Sequence, residues 1–449
     1  MRLSKRLSAL LGEDQTVTDT LAKLLAEPGS LIVEGGPWER FGLYNCYAVV
    51  RDDGAGMRMP AHAGELVPGS TEDLVAVVRR LDVATLLPPA PMTVELDTTY
   101  RCPSTGCGGY CFSATYRALA PNVSLAASHL KALIRTFAAN GGRILRFDGG
   151  GEPLCHPQVR DGSLVRLADD LGLKTTLLTA GDHLPQADIG ALIESDCYIR
   201  VSLNAGTEGT RRHLHGQQSS LASVLASVKR LTTNIAACGR GTPVGATFIL
   251  APENVAEVVL AARRAQDAGM THFSARRILG PTALRPSFTA SQLEQGRELL
   301  AEVAAMHSPA FRVSVPWRAL DEPDLSPADG ELGVERCWQA AFKCVIEPSF
   351  SGSSMRIQPC GRYRGNGIGQ LQQADPLVET TEASTWVEAW HEALSEPDRL
   401  ARLPHVCHSC IDRGFQRLVD GLVGFVGVPV CDFEIHHVWA EDPERIVRC

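Results

Sequence analysis

Three cysteines, Cys102, Cys107 and Cys111, lie within ten residues of one another, separated mainly by small residues, glycines and a proline. Small residues let the backbone wrap a metal centre without side-chain clashes. Thiolates are ligands that suit iron–sulfur clusters or zinc. A structural zinc site takes four protein ligands, whereas three thiolates on a four-iron cluster leave one iron open for a substrate or cofactor. The segment therefore predicts an iron–sulfur site, and the alternative is a zinc site that recruits a distant fourth cysteine.

A second group of cysteines lies near the end of the chain. Cys344 begins one strand-like run and Cys360 ends the next, with a Ser-Gly-Ser-Ser turn between them, so a β-hairpin is expected. Cys407 and Cys410 then form a Cys-x-x-Cys pair. A pair of this kind with two further cysteines is typical of a four-ligand zinc or iron–sulfur site. Further candidate ligands in this part of the chain are Cys337, His405 and His408.

The composition is that of a globular protein, with 44% hydrophobic and 21% charged residues over 449 positions, and this length suggests two or three domains. The net charge of −8 disfavours a nucleic-acid binder that relies on bulk electrostatics. The N-terminal segment has too short an apolar core for a signal peptide, and the longest apolar run, Gly421–Val430, is well short of the ~20 residues of a membrane span. A soluble, cytoplasmic protein is therefore expected. Because disulfides are disfavoured there, its 14 cysteines are expected to include metal ligands.

Strand-like and helical segments alternate after a proline-rich break at Leu86–Pro91. Helical patterns, such as Leu125–Ala139, Ser219–Ala237 and Val255–Ala268, lie between most of the six predicted strands. This alternation is typical of parallel α/β units. Residues 1–90 mix helical and strand-like segments, and residues 281–335 are expected to form a helical and loop-rich connection. The predicted strands are Thr93–Asp97, Ile144–Phe147, Thr175–Thr179, Tyr198–Leu203, Val244–Leu250 and His272–Ile278.

A glycine-rich turn, Gly149–Pro153, follows the second predicted strand. Glycines let backbone groups approach a ligand closely, and those groups are strong hydrogen-bonding partners. In parallel α/β folds, ligands bind at the carboxyl ends of the strands. Since the cysteine segment follows the first strand, it and the glycine turn are expected at the same edge of the sheet. The alternative is a tight βα turn without a ligand.

Together, the cysteine segment and the glycine turn resemble the radical S-adenosylmethionine (SAM) enzymes over roughly residues 91–280. The usual spacing in that family is three and then two residues between the cysteines, whereas this chain has four and then three. The resemblance implies that Cys102, Cys107 and Cys111 hold a 4Fe–4S cluster that binds SAM. The other cofactor-binding residues that it implies are Tyr110, Gly149, Gly150, Gly151, Glu152, Pro153, Ser202, Asn204 and Leu250.

The resemblance also implies the architecture. The fold class is α/β, with a partial (βα)6 TIM-type barrel, an N-terminal α+β extension and a C-terminal Twitch-like auxiliary iron–sulfur domain. The expected domains are residues 1–90, 91–320 and 321–449. In the Twitch extension an auxiliary 4Fe–4S cluster conducts electrons or stabilises the fold. Its implied ligands are Cys344, Cys360, Cys407 and Cys410, with Cys337 as an alternative to Cys344.

Within the family, the chain is most similar to the radical SAM diol-dehydratases of aminoglycoside biosynthesis. That resemblance implies a lyase in which a 5′-deoxyadenosyl radical takes a hydrogen from a 1,2-diol of paromamine, a polyamine pseudodisaccharide. The neighbouring hydroxyl leaves as water, toward 3′-deoxygenation. An electron donor such as flavodoxin or ferredoxin and a separate NADPH-dependent reductase are the implied partners, without nucleic acid or membrane. The alternatives are a radical SAM alcohol dehydrogenase of an aminocyclitol, a peptide-modifying radical SAM enzyme and a non-enzymatic zinc-binding protein.

Three carboxylates, Glu95, Asp97 and Asp148, lie on or just after the first two predicted strands. Buried carboxylates need partners, and protonated substrate amines would supply them. Dehydration also needs a base and an acid within hydrogen-bond reach. Candidates for that acid and base are Asp148, His183, His213 and His215. The alternative, internal partners for the carboxylates are Arg146, Arg200 and Arg276.

Overall fold

The computed structural model describes residues 90–91, 93–104, 111, 113–142, 144–277, 287–315, 337, 340, 343–360, 376–396, 399 and 403. The expected N-terminal extension, apart from its last residue, lies outside the described residues. So do several predicted site residues. These are Cys107, Tyr110, His405, Cys407, His408 and Cys410.

Ten strands among the described residues belong to one sheet. In chain order they are Thr93–Leu96 (β1), Ile144–Phe147 (β2), Lys174–Thr179 (β3), Tyr198–Ser202 (β4), Val244–Leu250 (β5), His272–Arg277 (β6), Arg312–Ser314 (β7), Lys343–Pro348 (β8), Met355–Gln358 (β9) and Val378–Thr380 (β10). The sheet order is β10-β9-β8-β1-β2-β3-β4-β5-β6-β7. All neighbours from β8 through β1 to β7 are parallel, whereas β9 is antiparallel to both β8 and β10. The molecule is therefore a mixed α/β protein with a largely parallel sheet, and the six predicted strands are confirmed as consecutive parallel neighbours.

Strand register separates two faces of the sheet, since side chains alternate along each strand and paired residues share a face. One row of paired residues is apolar and joins the hydrophobic core, which also contains helix residues such as Leu133 and Val228. That row is Leu96, Phe147, Leu177, Ile199 and Val244. The next row is polar, and we call its side of the sheet the polar face. That row is Glu95, Arg146, Thr176 and Tyr198.

Helices connect most of the parallel strands. They are Ala114–Leu119 (α1), Ala127–Ala139 (α2), Pro157–Arg160 (α3), Ser163–Asp170 (α4), Ile189–Glu194 (α5), Glu208–His215 (α6), Leu221–Ala237 (α7), Val258–Asp267 (α8), Ala290–Ala305 (α9) and Trp386–Ser395 (α10). The predicted helical segments are confirmed with small boundary changes. For example, α7 begins at Leu221 because the Ser220 hydroxyl caps it by accepting a hydrogen bond from the Ser223 N–H. No helix in the described part of the chain combines the length and apolarity needed to cross a membrane.

The predicted hairpin is confirmed by β8 and β9, whose antiparallel register pairs Val345 with Gln358. β8 also pairs in parallel with β1, so this hairpin continues the same sheet as the six predicted strands. The strand β7 was not predicted, because only three residues form it and the segment was expected to be helix and loop. Its edge position requires hydrogen bonding to β6 alone, which a short polar segment satisfies.

Candidate functional site

The first cysteine and the glycine turn meet at the carboxyl ends of β1 and β2. The Glu152 N–H donates to the Arg101 carbonyl over 2.8 Å, next to Cys102. A Cβ atom on Gly151 would lie 2.2 Å from that carbonyl oxygen, so only glycine permits this approach. At the other end of the cysteine segment, the Ser113 hydroxyl donates to the Gly149 carbonyl over 3.3 Å. Both ends of the cysteine segment are therefore held against the glycine turn.

Tyr100 fixes the same loop from the other side. Its buried ring lies where a Cβ atom on Gly150 would be 2.6 Å away, and its hydroxyl donates to the Pro348 carbonyl over 2.7 Å. The ring also packs edge-on against Phe350 in the turn between β8 and β9. The position of the cysteine segment therefore depends on the hairpin as well as on the glycine turn.

Cys102 and Cys111 are both half-buried cysteines at the edges of this segment. The third cysteine of the group, Cys107, lies outside the described residues. Among the described residues, no three side chains that could bind a metal ion lie together. The ligand set stays a prediction, but the donors at positions 102 and 111 fit a cluster because they are accessible and lie beside a turn of bare backbone groups.

Glu152 links the glycine turn to β3. Its carboxylate accepts hydrogen bonds from the Thr179 hydroxyl at 2.6 Å and from the backbone N–H of Ala180 at 2.7 Å and of Leu154 at 3.2 Å. Burial raises the pKa of Glu152 to about 7, and those three donors oppose the rise. Pro153 then opens a short 3-10 turn that is suited to a residue without an N–H. The side chain of Glu152 thus holds the glycine turn against the end of β3.

Arg211, in α6, joins the carboxyl ends of β3 and β4. Its side chain is fully buried, and all three guanidinium nitrogens donate hydrogen bonds of 2.6 to 3.1 Å. The acceptors are Ala180 and Asp182 after β3, Ser202 and Leu203 at and after the end of β4, and Ser219. The helix residue therefore sets the spacing of two strand ends that flank the predicted SAM site.

The predicted cofactor residues of β4 and β5 have different environments. Ser202 is half-buried on the polar face, while Asn204 is buried with a positive φ of 52°. Leu250 is fully buried in the hydrophobic core, so a contact from this position would use its backbone. Its neighbour Ile249 is half-buried and shares the polar face with Thr247, so Ile249 is a better placed apolar contact.

Most of the predicted substrate carboxylates have internal partners. Glu95 pairs with Arg146 and with Lys343, at 2.7 Å in each case, and Asp148 pairs with Arg146 at 3.2 Å. Internal pairing with Arg146, the alternative to substrate amines, is thus present for both carboxylates. Asp97 is fully buried on the same face beside Gly150. The charge of Glu95 is already compensated before any substrate binds.

The three candidate histidines are not brought together. His183 is half-buried after β3, and His213 is exposed on α6. His215 is buried, and burial lowers its pKa well below the usual value, with Arg211 adding to the effect. A neutral, enclosed imidazole is a poor proton donor to a leaving hydroxyl. Of the three, His183 alone combines access to water with a position after a strand end.

The second cysteine group is described only in part. Cys344 is fully buried in the hydrophobic core, where burial and then Glu95 raise the pKa of its thiol well above the ordinary value. Cys337 is also buried, whereas Cys360 is half-buried just beyond β9. A buried thiol gives up its proton when a metal replaces it. The choice between Cys337 and Cys344 as a ligand stays open.

Several contributors to this site are not visible in sequence motifs. Arg211 lies in a polar helix segment, Glu-Gly-Thr-Arg-Arg-His, where nothing distinguishes it from the exposed Arg212. Thr179 ends an unremarkable strand, yet it donates the shortest hydrogen bond to Glu152. Only the three-dimensional placement of the strand ends identifies both residues.

No family model matches the chain. Among solved structures, Streptococcus suis SuiB bound to S-adenosylmethionine aligns with a TM-score of 0.49 and 15% identity, covering 76% of this chain and 77% of that one. SuiB bound to precursor peptide SuiA aligns with a TM-score of 0.49 and 14% identity, covering 76% and 75%. Native anSMEcpe with bound AdoMet and Cp18Cys peptide aligns with a TM-score of 0.44 and 12% identity, covering 75% and 96%. At these values the comparisons are resemblances of fold, and function is argued from the chain's own residues.

Proposed function

We propose that this protein is a radical SAM enzyme whose site lies where the cysteine segment meets the glycine turn. The observation that carries the proposal is the contact between the Arg101 carbonyl and the Glu152 N–H, with Gly151 pressed against the same carbonyl. It places Cys102 beside a turn whose bare backbone suits a ligand's amino and carboxylate groups. A partial barrel around the polar face is part of this proposal.

In this proposal Cys102, Cys107 and Cys111 hold a 4Fe–4S cluster. When bound, the cluster and SAM supply one-electron chemistry that yields a hydrogen-abstracting radical. The protein's own residues position the reactants. Glu152, Thr179 and Arg211 keep the turn and the strand ends in place, and the polar face holds the substrate.

SAM cleavage tests the proposal. Anaerobically purified protein is incubated with SAM and dithionite, and 5′-deoxyadenosine is measured. The wild type is expected to form it, and Cys102→Ala is expected to lose the activity together with the iron of one 4Fe–4S cluster. Cys238→Ala is the matched control, since Cys238 is an exposed free thiol at the end of α7. One or two zinc ions per chain, without iron, would contradict the proposal in favour of the zinc-binding alternative.

The finer reaction that we propose is dehydration of an aminoglycoside-type 1,2-diol such as paromamine. Asp148 supports it as a contact for a substrate amine, because its side chain is 22% exposed and pairs with one cation, Arg146, whereas Glu95 is buried and bound to two. In the same assay with paromamine, the product is expected to have lost one water. A ketone with its hydroxyl retained would indicate alcohol oxidation instead, and turnover of a peptide alone would indicate peptide modification.

We also propose an auxiliary 4Fe–4S cluster with Cys360, Cys407, Cys410 and either Cys337 or Cys344. Metal analysis of two single variants discriminates the last ligand. If Cys344 is a ligand, Cys344→Ala lowers the iron content toward that of one cluster, and Cys337→Ala leaves it unchanged. The opposite pattern assigns Cys337. Equal iron in both variants and in the wild type would contradict the auxiliary cluster.

A further inference from the structure

A buried chain of polar contacts connects the cysteine segment with the ends of β4 and β5. His215 lies at its centre, with its Nδ1 3.4 Å from the Ser104 hydroxyl oxygen and its Nε2 3.4 Å from the Asn204 side-chain nitrogen. All three side chains belong to residues that are at most 5% exposed. Ser104 is two residues from Cys102, so this series of polar contacts reaches into the cysteine segment.

The hydrogen-bonding pattern assigns the protonation of the imidazole. The Asn204 Oδ1 accepts from the Ile249 N–H over 2.9 Å, which fixes the orientation of the amide and turns its NH2 group toward His215. His215 Nε2 therefore accepts, and the proton lies on Nδ1, which donates to the Ser104 hydroxyl. The three side chains thus have one consistent set of donors and acceptors, in which Asn204 donates to His215 and His215 donates to Ser104.

Asn204, at one end of this series of contacts, is held rigidly. Asn204 adopts a left-handed conformation with φ of 52°, and its carbonyl accepts from the Asn254 side chain over 2.9 Å. Asn254 is fully buried, and its own side-chain oxygen accepts from the Ala251 N–H over 2.8 Å. Such a conformation persists only where its surroundings enforce it. The imidazole is thus held from a fixed point.

The Ser104 end is held twice. The Arg117 guanidinium in α1 donates to the Ser104 carbonyl over 2.7 Å, while the imidazole binds the hydroxyl. Arg117 ties Ser104 to a helix that follows the same segment in the chain, whereas the contact from His215 relates Ser104 to the ends of β4 and β5.

We propose that His215 is a positioning residue that fixes the cysteine segment relative to the ends of β4 and β5. This role rests on the proposed function, in which the cysteines hold the cluster and those strand ends flank SAM. His215 thereby controls how well SAM meets the cluster, without itself exchanging a proton with substrate. Groups that orient the ligands of a metal change affinity or activity about 10- to 100-fold when they are removed.

The test compares His215→Leu with His215→Gln, which can still accept from Asn204 and donate to Ser104. His213→Leu is the matched control, since His213 is exposed on the same helix. Hydrogen exchange in the metal-free protein, over a peptide spanning residues 99–104, is expected to speed up in His215→Leu only. In the reconstituted protein, His215→Leu is expected to keep its iron but to bind SAM about 10-fold more weakly, and His215→Gln is expected to recover much of that affinity.

Ser104→Ala removes the other partner and serves if His215→Leu does not fold. It is expected to weaken SAM binding in the same direction, and the double variant is expected to be no weaker than the worse single one. If both His215→Leu and Ser104→Ala match the wild type in hydrogen exchange and in SAM affinity, the inference is overturned while the proposed function stays intact. A wild type that binds neither iron nor SAM would instead overturn the proposed function, and this role with it.

Discussion

The carboxyl and amino ends of the same parallel strands are organised in different ways. At the carboxyl ends, single side chains bind backbone groups of several elements, as Arg211 does for β3 and β4. At the amino ends, Tyr198 and His272 stack with their ring centres 5.2 Å apart and share a hydrogen bond. The His272 ring lies over Gly245 on the strand between them, where a Cβ atom would clash with it.

This difference means that residues at the carboxyl ends position loops, whereas residues at the amino ends pack within the sheet. Backbone groups at the carboxyl ends belong to loops, and a side chain that binds them decides where the loop lies. The amino-end pair contacts strand residues that the sheet already fixes, so it contributes burial and local hydrogen bonds. We therefore expect substitutions at the carboxyl ends to change both stability and cofactor binding, and substitutions at the amino ends to change stability alone.

The largest effect is expected for Arg211→Met. The side chain of Asp182 is only 15% exposed, and the variant leaves it without its cation. Breaking a buried pair in this way costs about 3–5 kcal/mol, and SAM binding is expected to fall as the two strand ends separate. Chemical denaturation of anaerobically purified protein measures the loss. Arg212→Met, at an exposed position on the same helix, is the control and is expected to stay within about 0.5 kcal/mol of the wild type. A loss below about 1 kcal/mol in Arg211→Met would contradict the account.

Gly151→Ala is expected to come next. The new methyl group would lie 2.2 Å from the Arg101 carbonyl oxygen and 2.6 Å from the carbonyl carbon of Tyr100. Because backbone atoms cannot rotate away, we expect a cost of about 3 kcal/mol, at the upper end for overpacking, together with a lower iron content. Gly209→Ala is the control, since its methyl group would meet nothing closer than 4.0 Å. Unchanged iron and stability in Gly151→Ala would mean that the glycine turn and the cysteine segment are not coupled.

His272 gives the amino ends a pH dependence. Burial, and then Arg200, Arg276 and Arg312, lower its pKa from 6.5 to about 3. The unfolded chain therefore binds the proton more readily, and stability present above pH 6.5 is lost as the pH falls toward 3. At pH 5 the loss is about 2 kcal/mol.

Comparison of unfolding free energies at pH 7 and pH 5 tests this value. His272→Phe keeps a ring over Gly245 and is expected to flatten this part of the pH dependence, even though the variant is less stable overall. His213→Phe, at an exposed position, is expected to leave it as in the wild type. An equal slope in wild type and His272→Phe would show that another group is responsible.

The smallest effect is expected for Tyr198→Phe. The substitution keeps the ring stacked and removes only the hydroxyl bonded to His272, so the cost is about 1 kcal/mol. Iron content and SAM affinity are expected to match the wild type. A loss of SAM affinity here would contradict the separation between the two ends of the strands.

The strands and the hairpin could be predicted from sequence because their signals are local. Leu145 and Phe147 in β2 face the helices, and Arg146 between them lies on the polar face. This alternation can be read from three consecutive residues of the sequence. The glycine turn was predicted for the same reason. The strand β7 was missed because three residues carry too little pattern.

The ion pairs and hydrogen bonds within the site could not be predicted, because they join residues that are far apart in the chain. Lys343 reaches Glu95 only because β8 returns beside β1. Residue type alone makes His215 one of four candidates for acid–base chemistry, whereas its buried position between Ser104 and Asn204 is the basis of the positioning role that we propose. Residue types predicted which chemistry is available, and long-range packing decides which residues take part in it.

Electron paramagnetic resonance of the reduced wild-type protein, recorded before and after addition of SAM, tests the central claim most directly. The account predicts a reduced 4Fe–4S spectrum in which one component changes when SAM binds. That component is lost in Cys102→Ala but kept in Cys238→Ala. A protein prepared without oxygen that shows no such signal, or a signal indifferent to SAM, would contradict it.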